Sequence, residues 1–307
     1  MGERFNLGDV SEGSSFHNGT PMNDVNYFTV DLEDYFMVSA FKDIVPAGDW
    51  DFHEFRAGRS MGHLLDLLDE GGARATVFVV GWIAERFPSL VREIRGRGHE
   101  VACHSFRHRL IYDMTPDEFR EDTRQAKVAI ESAIGEPIIG YRAPSYSITR
   151  QSMWALDILR EEGFLYDSSV YPVLHDRYGV PGYDRFPGFA PEPEGNGGRG
   201  LLEIPLSTVK FLGHNVPFGG GGYLRLYPYG LTRFFAERVN HKEDQPFIVY
   251  VHPWEIDTGQ PRFRGSPLSM FRHYVNIDRN EEKIRNLLRD FRFSPLAELY
   301  HKCAGKQ

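Results

Sequence analysis

ATVFVV (residues 75–80) is a continuous apolar, β-branched run. It leads into helix-period spacing over 89–97, a stop at Gly98 and a second short run, EVAC, at 100–103. An unbroken run of this length suits a strand covered on both faces, and strand, helix and strand in succession make the crossover unit of a parallel sheet. The alternation continues in both directions. A short apolar run at 27–30 precedes it. Downstream, Thr115-Pro116-Asp117-Glu118 forms a capping box with proline at the first helical position, opening a helix that runs to Ile134 and closes at Gly135. Residues 138–139 read as strand, Thr149 as the cap of a helix reaching Gly163, 164–166 and 201–204 as strands, and 228–240 as a helix. FIVYV at 247–251 is another buried strand, and 281–290 is the last amphipathic helix. The pattern predicts an α/β fold with a parallel sheet and helices outside, either an open doubly wound sheet or a barrel.

With 307 residues and 41% hydrophobic content, the chain can bury the core of one large barrel-class domain or of two ordinary ones. Two Gly/Pro-rich stretches, 172–200 and 214–229, interrupt the alternation and read as long insertions over one face. The predicted organisation is a disordered leader at 1–24 and one domain over 25–304, with insertion loops at 172–229 and a C-terminal extension at 255–304 packed on it. A net charge of −8, with no basic run interleaved with aromatics, argues against nucleic acid as a partner. Cys103 and Cys303 are too few for a disulfide scaffold. The polar opening residues lack a signal-peptide core. No apolar run approaches the ~20 residues that span a bilayer. A cytoplasmic protein without a transmembrane segment is the expectation.

His104-Ser105-Phe106-Arg107-His108 sets two imidazoles four residues apart, so on one helix face or one tight turn both can reach one ion. Asp31-Leu32-Glu33-Asp34 supplies carboxylates directly after an apolar run. Brought together, they would make a two-histidine, one-carboxylate metal site with a spare carboxylate to take a proton from water, the minimum for metal-assisted hydrolysis. Placement supports one assembled site. Asp31, His104, Arg142, Asp167 and His252 each follow a different predicted strand, at the rim where the catalytic groups of barrel enzymes converge. Cys103, one residue before His104, should face the opposite way and belong to the core. The run Gly219-Gly220-Gly221-Gly222 lacks the Lys-Ser/Thr of a phosphate loop and fits no dinucleotide fingerprint. It is either a flexible connector or a place where backbone approaches a sugar, with Tyr223, Arg225 and Tyr227 as contacts.

Five motifs stand in a telling order: TVDLED from Thr29, HSFRH from His104, RAPSYS from Arg142, YDSSVYP from Tyr166 and YVHPWE from Tyr250. On these the chain resembles the polysaccharide deacetylase superfamily (NodB homology, carbohydrate esterase family 4). It is most similar to the branch of bacterial exopolysaccharide loci that carries an extra C-terminal region, which GGGGYLRLYP from Gly219 resembles. The resemblance implies a distorted (β/α) barrel of that type with long loop insertions. It also implies a divalent metal, with zinc the default and cobalt, nickel or manganese compatible with the same donors. The activity implied is removal of N-acetyl groups from an amino-sugar polysaccharide or its lipid-linked precursor, with room for association with exopolysaccharide assembly machinery.

The commoner family pattern has two adjacent aspartates, a base and then a ligand. Here Leu32 takes the second position, and strand alternation puts Asp31 and Glu33 on one face. Asp31 is therefore assigned as base and Glu33 as ligand beside His104 and His108, with Asp34 the alternative ligand if the strand ends in a bulge or turn. By the same resemblance Arg142 holds the base carboxylate and Tyr146 lends its backbone N–H to the oxyanion hole. His252 protonates the leaving amine, and Asp167 orients His252 and raises its pKa. Tyr171 stands near where the family usually carries a tryptophan. Two other readings are an allantoinase-like amidohydrolase acting on a small amide and an inactive carbohydrate-binding protein of an export system.

Overall fold

A computed structural model describes residues 25–190 and 200–305. The expected leader at 1–24 lies outside the described residues. Along the first half run β1 (Asn26–Leu32), α1 (Ala57–Glu70), β2 (Ala75–Val79), α2 (Gly81–Arg86), α3 (Pro88–Gly96), β3 (Glu100–Cys103), α4 (Pro116–Ile134), β4 (Gly140–Tyr141), α5 (Trp154–Glu161) and β5 (Tyr166–Asp167). The second half has β6 (Gly188–Phe189), β7 (Leu202–Glu203), the hairpin β8 (Thr208–Phe211) and β9 (His214–Pro217), α6 (Gly221–Leu226) and α7 (Tyr229–Lys242). It ends with β10 (Ile248–Val251), α8 (Pro267–Tyr274), α9 (Asn280–Asp290), β11 (Phe293–Ser294) and α10 (Leu296–Ala304).

The main sheet runs β10-β1-β2-β3-β4-β5-β7-β6, with β11 also beside β1. Every pairing in it is parallel except β6 with β7. The α/β expectation holds in the form of a parallel sheet curled into an incomplete barrel. Alternation along each strand sorts the side chains. Phe28, Val30, Val77, Val79, Val101, Cys103 and Val249 join the large core under the helices. Tyr27, Phe78, Ala102, Tyr166, Leu202 and Ile248 form a second cluster with Leu296, Leu299 and Tyr300 of α10. These six strand residues share one parity and point to the concave side. At the floor, Leu296 N–H donates to Thr76 Oγ1 at 2.7 Å and Ala297 N–H to Glu100 Oε2 at 2.9 Å. The first turn of α10, which has no side-chain cap of its own, is thus satisfied by strand residues.

The glycine run is not a loose connector. Tyr250 N–H donates to Gly219 O at 2.9 Å, and Gly220 bridges Tyr250 in parallel. A Cβ on Gly220 would overlap the Tyr250 carbonyl oxygen and ring, so only glycine lets this segment lie against β10 and span the open side of the sheet. Arg225, expected as a sugar contact, is buried.

Local signals were mostly placed correctly. The Thr115 capping box is formed, and Gly135 closes α4 at φ 76°. Three elements shift: β4 lies two residues beyond 138–139, β5 begins at Tyr166 and not at 164, and α5 begins at Trp154 because the Thr149 N–H is held by Ser152 Oγ in a preceding turn. Nine elements were not anticipated: α1, α2, β6, β8, β9, α6, α8, β11 and α10. Gly58 and Gly62 dilute the helical propensity of α1, and its N-cap position is Arg56, which caps nothing with its side chain.

Candidate active site

The inner row of β1 passes through Thr29 and Asp31, and Glu33 prolongs it one step beyond the strand. Across the barrel, Arg142 follows β4 and is wholly buried. Its Nη1 donates to Asp31 Oδ1 and to Thr29 Oγ1, both at 2.8 Å. Nε and Nη2 donate to the carbonyl and hydroxyl of Ser168, both at 3.0 Å, and the guanidinium lies 4.1 Å from the Phe78 ring centre. Burial works against its charge, yet the Asp31 carboxylate more than restores it, raising the Arg142 pKa. This is the contact expected of Arg142. It leaves Asp31 Oδ2 facing the Tyr146 hydroxyl at 3.4 Å and His252 Nε2 at 3.8 Å.

His104 and His108 sit on a tight turn after β3, not on a helix. Ser105 and His108 take left-handed backbone angles, φ 63° and 51°. Asp122 of α4 holds that turn, accepting from Ser105 Oγ at 2.7 Å and Phe106 N–H at 2.8 Å. His104 Nδ1 lies 2.8 Å from the Arg142 carbonyl, which fixes the ring and turns Nε2 toward Glu33. Glu33 Oε1 then stands 3.4 Å from His104 Nε2, 3.1 Å from His108 Nε2 and 3.5 Å from His252 Nε2. Burial alone would raise the Glu33 pKa, but the surrounding imidazoles hold it well below the ordinary carboxylate range. Glu33, His104 and His108 bring ligand atoms within 4.8 Å of one another, as do Asp31, Glu33 and His252. A carboxylate oxygen and two imidazole Nε2 atoms, one ring braced through Nδ1 by a carbonyl, form a donor set that fits a divalent transition metal.

His252 follows β10, and its partner comes from an unexpected direction. Its Nδ1 lies 3.5 Å from Glu255 Oε2, the oxygen that also accepts the His252 backbone N–H at 3.0 Å. Glu255 Oε1 accepts from Arg225 Nε at 3.0 Å. Burial favours the neutral imidazole, but Glu255 and then Glu33 outweigh it and lift the His252 pKa to about 9. Arg225 and His252 in turn hold Glu255 low against its own burial.

Residues 56–164 match the polysaccharide deacetylase family, and residues 168–301 match a domain of unknown function, DUF3473. The first half of the chain carries a polysaccharide deacetylase domain match. A peptidoglycan deacetylase-like protein of Gibberella zeae is 32% identical over 117 residues, 37% of this chain and 34% of its own length. A chitooligosaccharide deacetylase of a Bradyrhizobium strain is 29% identical over 123 residues, 40% of this chain and 54% of its own length. The chain therefore spans only a third to a half of these curated relatives. A solved structure described as a probable polysaccharide deacetylase of Pseudomonas aeruginosa PAO1 superposes with TM-score 0.57 at 17% identity, covering 90% of both chains, and shares the fold. Both matched regions feed one site. His104, His108 and Arg142 lie in the deacetylase match, whereas Arg225, His252 and Glu255 lie in the second.

Three of the residues expected at this site stand elsewhere or face another way. Asp34 has the parity opposite to Asp31 and Glu33. It accepts N–H bonds from Tyr35, Arg56 and Ala57 at 2.8, 2.6 and 2.8 Å, capping α1 from a distance. Burial raises its pKa to about 6 despite those bonds, and it is not among the metal-holding groups. Asp167 has the wrong parity on β5, where Tyr166 and Ser168 point inward. It accepts from Ser169 Oγ at 2.6 Å and pairs in register with Glu203 of β7, so Glu255, not Asp167, faces His252. Burial raises the Asp167 pKa, and burial with Asp167 beside it raises that of Glu203. The Tyr146 N–H, expected in an oxyanion hole, donates to the Ala143 carbonyl at 3.1 Å, and the Tyr146 hydroxyl faces Asp31 instead.

Asp122 and Glu255 were missed, and Arg225 was given another role. For Glu255 a signal existed, since His-Pro-Trp-Glu puts an acid three residues after the histidine with proline starting a helical turn. A cleft of about 620 Å³ opens beside the site and includes Ser145, Tyr178, Tyr223 and Tyr250, while a smaller one of about 170 Å³ reaches His108. The two share Ser39, Lys42 and Leu110.

Proposed function

We propose that this protein is a metal-dependent N-deacetylase acting on an N-acetylated amino sugar, within a polysaccharide or its lipid-linked precursor. One observation carries the reading. Glu33 Oε1 lies within 3.5 Å of three imidazole Nε2 atoms, beside an Asp31 carboxylate clamped by a buried arginine. Glu33, His104 and His108 would hold the ion, zinc being the default for nitrogen and oxygen donors with an open position. When bound, such an ion polarises an amide carbonyl and acidifies water.

The chain's own residues supply the rest. Arg142 pairs with Asp31 Oδ1 and fixes its rotamer, so that Oδ2 faces the site and can take a proton from water. The Tyr146 hydroxyl donates to that same oxygen and limits its rotation. His252, protonated below about pH 9, stands on the same side of Asp31 and can give its proton to the departing amine nitrogen as acetate leaves. Glu255 and Arg225 keep that imidazole charged and aimed. The names of the curated relatives, deacetylases of peptidoglycan and chitooligosaccharides, support an amino-sugar substrate. Retention of both histidines and both acids supports metal-assisted deacetylation over metal-free hydrolysis of a small amide or mere carbohydrate binding.

The test is acetate release by metal-loaded protein from N-acetylglucosamine oligomers and from a lipid-linked N-acetylated sugar. Release is expected to vanish in Asp31→Asn and His104→Ala. Release that persists in both variants would overturn this mechanism.

A further inference from the structure

The cleft beside the site is lined by two chemically distinct sets of residues, and a neutral oligosaccharide accounts for only one. Near the site it is walled by Ser145 and Tyr250, with Tyr178 and Tyr223 beyond. Leu226, Leu268 and Phe271 also line it while remaining 46%, 55% and 54% exposed. Single exposed apolar side chains are ordinary on a protein surface, but three facing one cleft next to a reactive centre form a shaped apolar wall.

Two guanidinium groups flank that wall. Arg272 has one acidic neighbour, Asp176 at 3.7 Å, and Arg177 has no ion pair among the described residues. Both line the cleft, in a chain whose net charge is −8. The wall is also rigidly mounted. Arg225 donates to the carbonyls of Arg272, His273 and Val275 at the end of α8, and His273 stacks on Trp254 with ring centres 4.2 Å apart. Leu268, Phe271 and Arg272 lie at i, i+3 and i+4, hence on one face of that helix.

We propose that this cleft binds a glycan joined through phosphate or pyrophosphate to a hydrocarbon chain, the sugar toward Ser145 and Tyr250, the phosphate between Arg177 and Arg272, and the hydrocarbon along Leu226, Leu268 and Phe271. The proposal rests on the deacetylase reading of the adjoining site and narrows its substrate to the lipid-linked form. An anionic group answers the under-paired guanidiniums, and a hydrocarbon chain removes the three apolar faces from water. A free oligosaccharide does neither.

The experiment uses the metal-loaded full chain and three probes. These are chitotriose, N-acetylglucosamine 1-phosphate, and N-acetylglucosamine linked through pyrophosphate to a ten-carbon prenol below its micelle concentration. Acetate release and calorimetric binding are measured separately. The prenol-linked probe is expected to exceed chitotriose in kcat/KM by about a hundredfold, about tenfold from each of the apolar and ionic contacts. N-acetylglucosamine 1-phosphate, which has the anion without the hydrocarbon, should fall between them. The paired substitution Leu268→Ser with Phe271→Ser should collapse the prenol-to-phosphate binding ratio. Arg177→Gln with Arg272→Gln should collapse the ratio of the phosphate probe to chitotriose. Equal binding of the three probes by the unaltered protein, or ratios that neither pair of substitutions moves, overturns the proposal. Variant-sensitive binding of the prenol probe with no acetate from any probe supports the cleft assignment and refutes the deacetylase reading instead.

Discussion

Replacing Glu255 by Gln keeps the size of the side chain facing His252 Nδ1 and removes its charge. The His252 pKa stands at about 9, against 6.5 for a free imidazole. That gap corresponds to roughly 3 kcal/mol in favour of the imidazolium. Glu255 is the largest favourable contributor, ahead of Glu33 and Asp31. Its loss should remove about 2 kcal/mol of that preference and leave Arg225 buried without its carboxylate, repelling the imidazolium. The His252 midpoint in metal-free protein should therefore fall to about 7 or below. At pH 8 the fraction of His252 able to act as an acid would drop about tenfold, and any loss of ring alignment would add to that, within the ~10²–10⁴ that a general acid contributes. Histidine-resolved NMR of metal-free protein gives the midpoint, and kcat of metal-loaded protein against pH gives its consequence. Asp167→Asn is the control, because Asp167 is turned toward Ser169 and Glu203. A midpoint that stays near 9 in Glu255→Gln, or that falls as far in Asp167→Asn, refutes the assignment of Glu255 as the histidine's partner.

Metal content separates the two candidate acids. Glu33→Gln should lower bound metal at least about tenfold by elemental analysis after dialysis, whereas Asp34→Asn should retain it and instead lower the melting temperature, since Asp34 caps α1. Loss of metal in Asp34→Asn alone would reverse that assignment. Arg142→Met leaves Asp31 buried without its partner, at a cost of about 3–5 kcal/mol in urea unfolding. Adding Asp31→Asn should recover part of that stability but no activity, and a double variant no more stable than the single one counts against the pair. Gly220→Ala drives a methyl into the Tyr250 carbonyl and should cost about 1–3 kcal/mol, a figure that an unchanged unfolding midpoint would contradict. In metal-free protein, His252 has a folded pKa above its unfolded value. Its contribution to stability is thus full below about pH 6.5 and lost as pH rises through about 9. A melting temperature that stayed flat across that window would contradict the raised pKa.

Local chemistry made much of this legible. Continuous β-branched runs marked β2 and β10, and Thr115 with Gly135 marked both ends of α4, because strand burial and helix capping act within a few residues. Alternation alone put Asp31 and Glu33 together and sent Cys103 the other way. The errors have separate causes. Asp167 was credited to the concave side although Tyr166 and Ser168 flank it, a parity that the short apolar run at 164–166 did not reveal because β5 begins two residues later. Asp34 was left open as a ligand because nothing near it in sequence announced the unfilled N-terminus of α1, more than twenty residues on.

From the order of residues alone came the parallel α/β arrangement and the pairing of two histidines with an acid of matching strand parity, while the arginine that meets Asp31 was implied by the family resemblance of the motifs. Each depends on interactions along one strand or turn, or on the strand ends that parallel pairing gathers at one rim. Only the folded chain could decide that Glu255 rather than Asp167 backs His252, that Arg225 braces Glu255, and that Gly219 and Gly220 lie against β10. Apart from the i, i+3 step from His252 to Glu255, those contacts join residues whose separation along the chain carries no periodicity. They exist because the curled sheet brings α6, β10 and α8 to one wall, where buried charges must find partners or go uncompensated.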